Sequence, residues 1–131
     1  MIYGSINILV VDDDQIIRKL LADVFIADGY EVTCVINGRE ALQALKEKNF
    51  TLVFSDVHMP ELNGLETLRS IHAQNPNLPV VMMDSFPDEL LWEAQREGAL
   101  TCIHKPFDLK ELRDIVKKIL KGEYKEMEVD F

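Results

Sequence analysis

The sequence predicts an α/β domain built on a parallel sheet of five strands with right-handed crossovers and five helices. Three observations predict it. Five short apolar runs each stop at a polar or turn-forming residue, and runs of that length suit strands buried on both faces. The stretches between them carry apolar residues at helical spacing. Asp12, Asp13, Asp56, Asp84, Ser85 and Lys105 all follow directly on those runs, at the carboxyl ends where open α/β sheets place their ligands.

Residues 6–11 (INILVV) read as the first strand, ending in Asp12-Asp13-Asp14. Residues 15–27 form a helix with Ile17, Leu20, Leu21, Val24 and Phe25 on one face and Arg18, Lys19 and Asp23 off it, and Gly29 stops it. Residues 30–35 alternate as a second strand. Asn37-Gly38 turns into a helix over 39–48 with Ala41, Leu42 and Leu45 inward. Leu52, Val53, Phe54 and Ser55 make the third strand, closed by Asp56. Pro60 forces the chain to leave the sheet just after that carboxylate. On this stretch alone Asp56 is equally well a residue that opens the turn.

Asn63-Gly64 precedes a helix over 65–74 with Leu65, Leu68 and Ile71 inward. The loop 75–79 leads into a fourth strand, residues 80–83, which ends in Asp84-Ser85. A helix over 88–97 stops at Gly98, and residues 100–104 form the fifth strand, ending at Lys105-Pro106. Asp108 caps the last helix, whose stripe is Leu109, Leu112, Ile115, Val116, Ile119 and Leu120. Residues 1–121 are thus expected to form one domain, with 122–131 a short polar tail.

A chain of 131 residues suits one ordinary domain, and 47% hydrophobic with 28% charged residues is the composition of a globular protein. A net charge of −9 argues against nucleic acid or anionic lipid as a ligand, since either needs a basic footprint. Lys117, Lys118, Lys121 and Lys125, interleaved with Glu123, Glu126 and Glu128, read as a solvated face. No apolar run approaches bilayer length and the N-terminus lacks a signal-peptide pattern, so a cytoplasmic protein is expected. Cys34 and Cys102 fall in strand-like runs without metal-ligand spacing and are expected to be reduced core residues.

Carboxylates converging on one rim repel one another unless a cation intervenes. Oxygen-only donors select a hard ion such as Mg²⁺ (or Mn²⁺). Lys105 adds a compact positive charge able to pair with Asp56 or with an incoming phosphoryl group. A carboxylate nucleophile, a hard cation and a lysine are the parts needed to accept a phosphoryl group.

Val10-Val-Asp-Asp13, Asp56-Val-His-Met-Pro60 with Asn63-Gly64 following, Gly98-Ala99 and Lys105-Pro-Phe107 resemble, in order and near-family spacing, the motifs of response-regulator receiver domains. The resemblance spans residues 6–121. It implies a flavodoxin-like strand order 2-1-3-4-5, Asp56 as the phosphorylated aspartate and Asp13 as a direct Mg²⁺ ligand. It further implies Asp12 acting through water, His58 offering its backbone carbonyl to the metal, and Lys105 on the phosphoryl group. The phosphodonor would be a histidine kinase or phosphotransfer protein, meeting the first helix and the pocket rim. A downstream protein would use the face of the fourth helix, fifth strand and last helix, or the phosphoryl group would pass onward in a relay. Only the chemistry of its own acyl phosphate is expected, without a turnover reaction.

Two positions depart from the family pattern. Receivers carry Thr or Ser at the end of strand four; counting from Asp56 puts Asp84 there, with Ser85 next. Either Asp84 enters the pocket as a further anion and retunes switching, or it turns outward and Ser85 takes its place. Cys102 stands where receivers often carry a switch aromatic, with Phe86 a substitute, a core residue or a loop cover. These departures motivate the alternative of a degenerate, phosphorylation-independent protein-binding module. A flavin carrier would share the sheet, but Asp12-Asp13-Asp14 would repel a flavin phosphate. His58 either overlies the pocket or is an exposed loop residue. His72 and His104 lack ligand-spaced partners along the chain and read as surface and strand residues, Met82 and Met83 as core, and Trp92 as packing or partner surface.

Overall fold

The computed structural model describes residues 5–123. Of the expected tail, residues 124–131 lie outside that range. The elements alternate as β1 (Asn7–Val11), α1 (Gln15–Ala27), β2 (Glu31–Val35), α2 (Gly38–Glu47), β3 (Leu52–Asp56), α3 (Gly64–Gln74), β4 (Val80–Asp84), α4 (Glu89–Arg96), β5 (Thr101–His104) and α5 (Leu109–Leu120). All pairings are parallel and the strand order is β2-β1-β3-β4-β5, as expected.

Because strand side chains alternate in direction, the sheet divides two cores. Ile8, Val10, Leu52, Phe54, Val81, Met83 and Ile103 pack with Leu21, Val24 and Phe25 of α1 and Leu112, Ile115 and Val116 of α5. Leu9, Val11, Val53, Val80 and Met82 face Ala41, Leu68, Leu91 and neighbours on α2, α3 and α4. The Phe25 and Phe54 rings meet at 5.1 Å between centroids, a contact worth about 1 kcal/mol beyond its area.

Each helix start is fixed by a side chain that accepts an otherwise orphaned amide proton. Asp14, Asn37, Asn63, Asp88 and Asp108 cap α1 to α5 in turn. Asn63 and Glu66 form a reciprocal capping box. Gly98, with φ 115°, ends α4. Among the described residues no helix is long and apolar enough to cross a membrane.

The expectation for Cys34 is corrected, and the alternatives left open for Trp92 and Phe86 are narrowed. Cys34 is exposed, not core, because β2 is an edge strand with little covering it. Trp92 is 42% exposed on α4. Phe86 is 60% exposed and stacks on His58 at 5.6 Å, a loop cover outside the core. Met82 and Met83 are fully buried, as their strand positions required.

Candidate functional site

The carboxyl ends of β1, β3 and β5 bring Asp12, Asp13, Asp56 and Lys105 together. Carboxylate oxygens of Asp12, Asp13 and Asp56 lie within 4.8 Å of one another. Asp12 is fully buried and Asp13 exposed. Asp14, the third acid of the run, is spent on the α1 cap, where its Oδ1 accepts from the Ile16 amide at 2.8 Å. Asp12 is held on one side by the Asp14 amide, which donates to Oδ1 at 2.9 Å, and on the other by Lys105 Nζ, which donates to Oδ2 at 2.7 Å. The Arg18 guanidinium donates to the Asp12 carbonyl at 2.9 Å and ties α1 to the same corner.

Lys105 Nζ also stands 3.6 Å from Asp56 Oδ1. It follows β5 directly and precedes a cis Lys105-Pro106 peptide. Burial pulls its ammonium pKa down, but the hydrogen bond it donates to Asp12 and the charges of Asp56 and Asp12 outweigh it, so the lysine stays firmly charged. Asp56 moves the other way, pushed up to about 6 by burial and by the Asp12 charge, against the pull of Lys105 and a His58 backbone hydrogen bond. Three carboxylates against one ammonium leave excess negative charge, and a hard divalent cation among those oxygens would relieve it. The oxygen-only donor set therefore fits Mg²⁺.

The backbone around Asp56 is positioned by close approach. The Val57 amide donates to the Met83 carbonyl at 3.1 Å, and the Gly64 amide to the Val57 carbonyl at 2.8 Å. A Cβ on Gly64 would lie 2.3 Å from the Asp56 carbonyl oxygen and 2.8 Å from Val57 Cα. Glycine is required there because the start of α3 presses on the end of β3.

His58 is exposed, and its Nε2 lies 2.6 Å from Asp88 Oδ2, joining the β3–α3 loop to the α4 cap. Burial works to raise the Asp88 carboxyl, but donors from the Leu91 amide, His58 and the Leu90 amide overcome it and hold the group below its usual range.

Asp84 takes neither expected arrangement. It is 1% exposed, so it does not turn outward, and Ser85 is exposed. Alternation puts Asp56 on the sheet face of α1 and α5, following Phe54, and Asp84 on the face of α2 to α4, following Met82. Its Oδ1 accepts from Cys102 Sγ at 3.0 Å and meets His104 Nδ1 at 2.5 Å. His104 therefore has partners, contrary to expectation, because one lies on the adjacent strand. Asp84 and His104 are direct neighbours in the β4–β5 register, and Cys102 precedes His104 by two residues on the same face. The two-residue spacing was visible in the sequence; the cross-strand partner was not. Cys102 is partly buried rather than core, and its thiol pKa is pushed far up by burial, then by the hydrogen bond and charge of Asp84.

The family model described as the response regulator receiver domain matches residues 8–117. The transcriptional regulatory protein ZraR of Salmonella typhimurium is 40% identical over 121 residues, covering 92% of this chain and 27% of that protein. The chain thus spans about a quarter of the length of that regulator. Sporulation initiation phosphotransferase F of Bacillus subtilis is 38% identical over 115 residues, covering 87% of this chain and 93% of that one. The crystal structure of the signal receiver domain of an HD domain-containing protein from Pseudomonas fluorescens Pf-5 superposes with a TM-score of 0.88 at 27% identity, covering 94% and 92% of the two chains.

Proposed function

The chain belongs to the response regulator receiver domain family, and from that premise we propose that residues 1–121 accept a phosphoryl group on Asp56 from a histidine kinase or phosphotransfer protein and signal by protein contact or onward transfer. The observation that carries this reading is the convergence of Asp56, Asp12, Asp13 and Lys105 on one rim, with Lys105 bridging Asp12 and Asp56.

A carboxylate oxygen of Asp56 attacks phosphorus; the new O–P bond forms as the donor's P–N or P–O bond breaks, and the leaving group takes its proton from solvent. Lys105 faces the charge that spreads over the equatorial oxygens, and its anchor on Asp12 fixes it for that task. Asp12, Asp13 and Asp56, with the His58 carbonyl, would hold Mg²⁺, which when bound supplies positive charge against the phosphoryl oxygens. Arg18 and the Asp14 amide keep the Asp12 corner rigid. The downstream face would be formed by α4, β5 and α5, where Trp92 and Leu109 are exposed.

Incubation with acetyl phosphate and Mg²⁺ tests the reading by intact mass. Wild type should gain a phosphoryl adduct and Asp56→Asn should not; an adduct of equal yield in both would defeat it.

A second reading, a module that binds its partner without phosphorylation, is favoured by one observation: a buried carboxylate at Asp84 where the family carries a hydroxyl. Beryllofluoride binding to wild type and Asp84→Thr separates the two. Partner binding indifferent to beryllofluoride in both proteins supports the second reading.

A further inference from the structure

We propose that Asp84, Cys102 and His104 form a second cation site, distinct from the oxygen-only cradle, that takes a borderline-soft divalent ion, Zn²⁺ above all. One ligand atom from each of Asp84, Cys102 and His104 lies within 4.8 Å of the others, with Asp84 Oδ1 3.0 Å from Cys102 Sγ and 2.5 Å from His104 Nδ1. A carboxylate, a thiolate and an imidazole are the donor set that Zn²⁺ selects and Mg²⁺ does not. In charge the match is complete: a carboxylate and a thiolate carry two negative charges, the imidazole none.

A second feature points to a ligand. The other oxygen of this carboxylate, Asp84 Oδ2, is buried without a hydrogen-bond partner, although Asp84 is 1% exposed. A buried carboxylate with one oxygen unsatisfied is costly, and a cation held by the same carboxylate would offset that cost.

The geometry is close to what coordination needs. Zinc–ligand bonds of about 2.0 to 2.3 Å set tetrahedral edges of roughly 3.3 to 3.5 Å. Starting from 2.5 Å for Asp84–His104 and 3.0 Å for Asp84–Cys102, these two edges must open by less than about 1 Å. The His104 side chain is 65% exposed, so it can move and the ion can enter past it. Three protein ligands leave one position for water. The thiol proton leaves to solvent on binding; burial and the Asp84 charge hold it in place without the ion, and the ion's own charge reverses that balance. The Lys105 amide donates to the Asp84 carbonyl at 2.7 Å, so an ion here would stiffen the strand ends that carry the cradle's lysine. The site stands whether or not Asp56 is the acceptor.

Co²⁺ serves as a coloured probe of such a site. Titrated into the full chain with reductant and excess Mg²⁺ to saturate the cradle, it should give one equivalent of sulfur-to-cobalt charge-transfer absorption, bleached by Zn²⁺. Cys102→Ser should abolish the band, Cys34→Ser should leave it, and His104→Gln should weaken binding at least about tenfold. Zn²⁺ binding should also release protons, seen by calorimetry in buffers of differing ionisation enthalpy. The proposal is overturned by the absence of a charge-transfer band, by its loss in Cys34→Ser with persistence in Cys102→Ser, or by its disappearance as Mg²⁺ is raised.

Discussion

Two clusters share one rim of this sheet and differ in donor set and in what counters their charge. The Asp12/Asp13/Asp56 cluster offers only oxygen, lies on the α1/α5 side and is countered by Lys105. The Asp84/Cys102/His104 cluster mixes oxygen, sulfur and nitrogen, lies on the α2–α4 side and leaves a carboxylate oxygen unsatisfied. Strand ends supply position in both cases, and which face a residue takes decides its partners. One residue of shift along β4 would put Asp84 in place of Met83 on the cradle's face.

Lys105→Ala should break this comparison hardest. It strips the ammonium that pairs with the carboxylates of both Asp12 and Asp56, and removing one partner of a buried pair costs about 3 kcal/mol. Acetyl-phosphate labelling should fall by about a hundredfold, while Co²⁺ absorption at the second cluster persists. A thermal melt without Mg²⁺ and a labelling time course check the two halves.

Gly64→Ala comes next. The added methyl meets the Asp56 carbonyl, and overpacking of this kind costs about 2 kcal/mol. Chemical denaturation should show that loss, and labelling should slow because the acceptor strand itself is displaced.

The pKa of Asp56 sharpens the comparison through pH. Its folded value of about 6 lies above the ordinary 3.8, so the folded state binds the proton more tightly. Stability associated with that proton is present below the unfolded pKa and is lost as pH rises through the folded one. Without metal, Asp56→Asn should therefore stabilise the fold at neutral pH by about 1 to 2 kcal/mol, after allowance for solvent screening. The gain should vanish near pH 4 and shrink when Mg²⁺ is added. Urea melts across that range would show it; a gain that grows as pH falls would contradict the assignment.

The smallest effect belongs to the loop between the clusters. His58→Ala removes an exposed hydrogen bond to Asp88 and the stack on Phe86 and should cost about 0.5 to 1 kcal/mol, with the Asp88 carboxyl titrating higher by NMR.

The alternation of ten elements was legible in the sequence because apolar runs and their Asn, Gly and Pro boundaries report local backbone preference. Asp12, Asp13, Asp56 and Lys105 were legible as rim residues for the same reason: each directly follows a strand. The direction of Asp84 was not, because it depends on which face β4 presents and on the Asp84–His104 pairing across strands. Cys34 misled because an apolar run does not show that its strand lies at an edge. The His58–Phe86 stack joins two loops whose meeting is set only by the packed sheet.

The central claim is that the oxygen-only cluster presents Asp56 as the acceptor. Borohydride reduction of the phosphorylated chain, followed by peptide mass mapping, tests it most directly, because an aspartyl phosphate is reduced to homoserine where it stands. Homoserine at position 56 alone is the predicted result. Homoserine at position 12, 13 or 84, with Asp56 unmodified, would contradict the account.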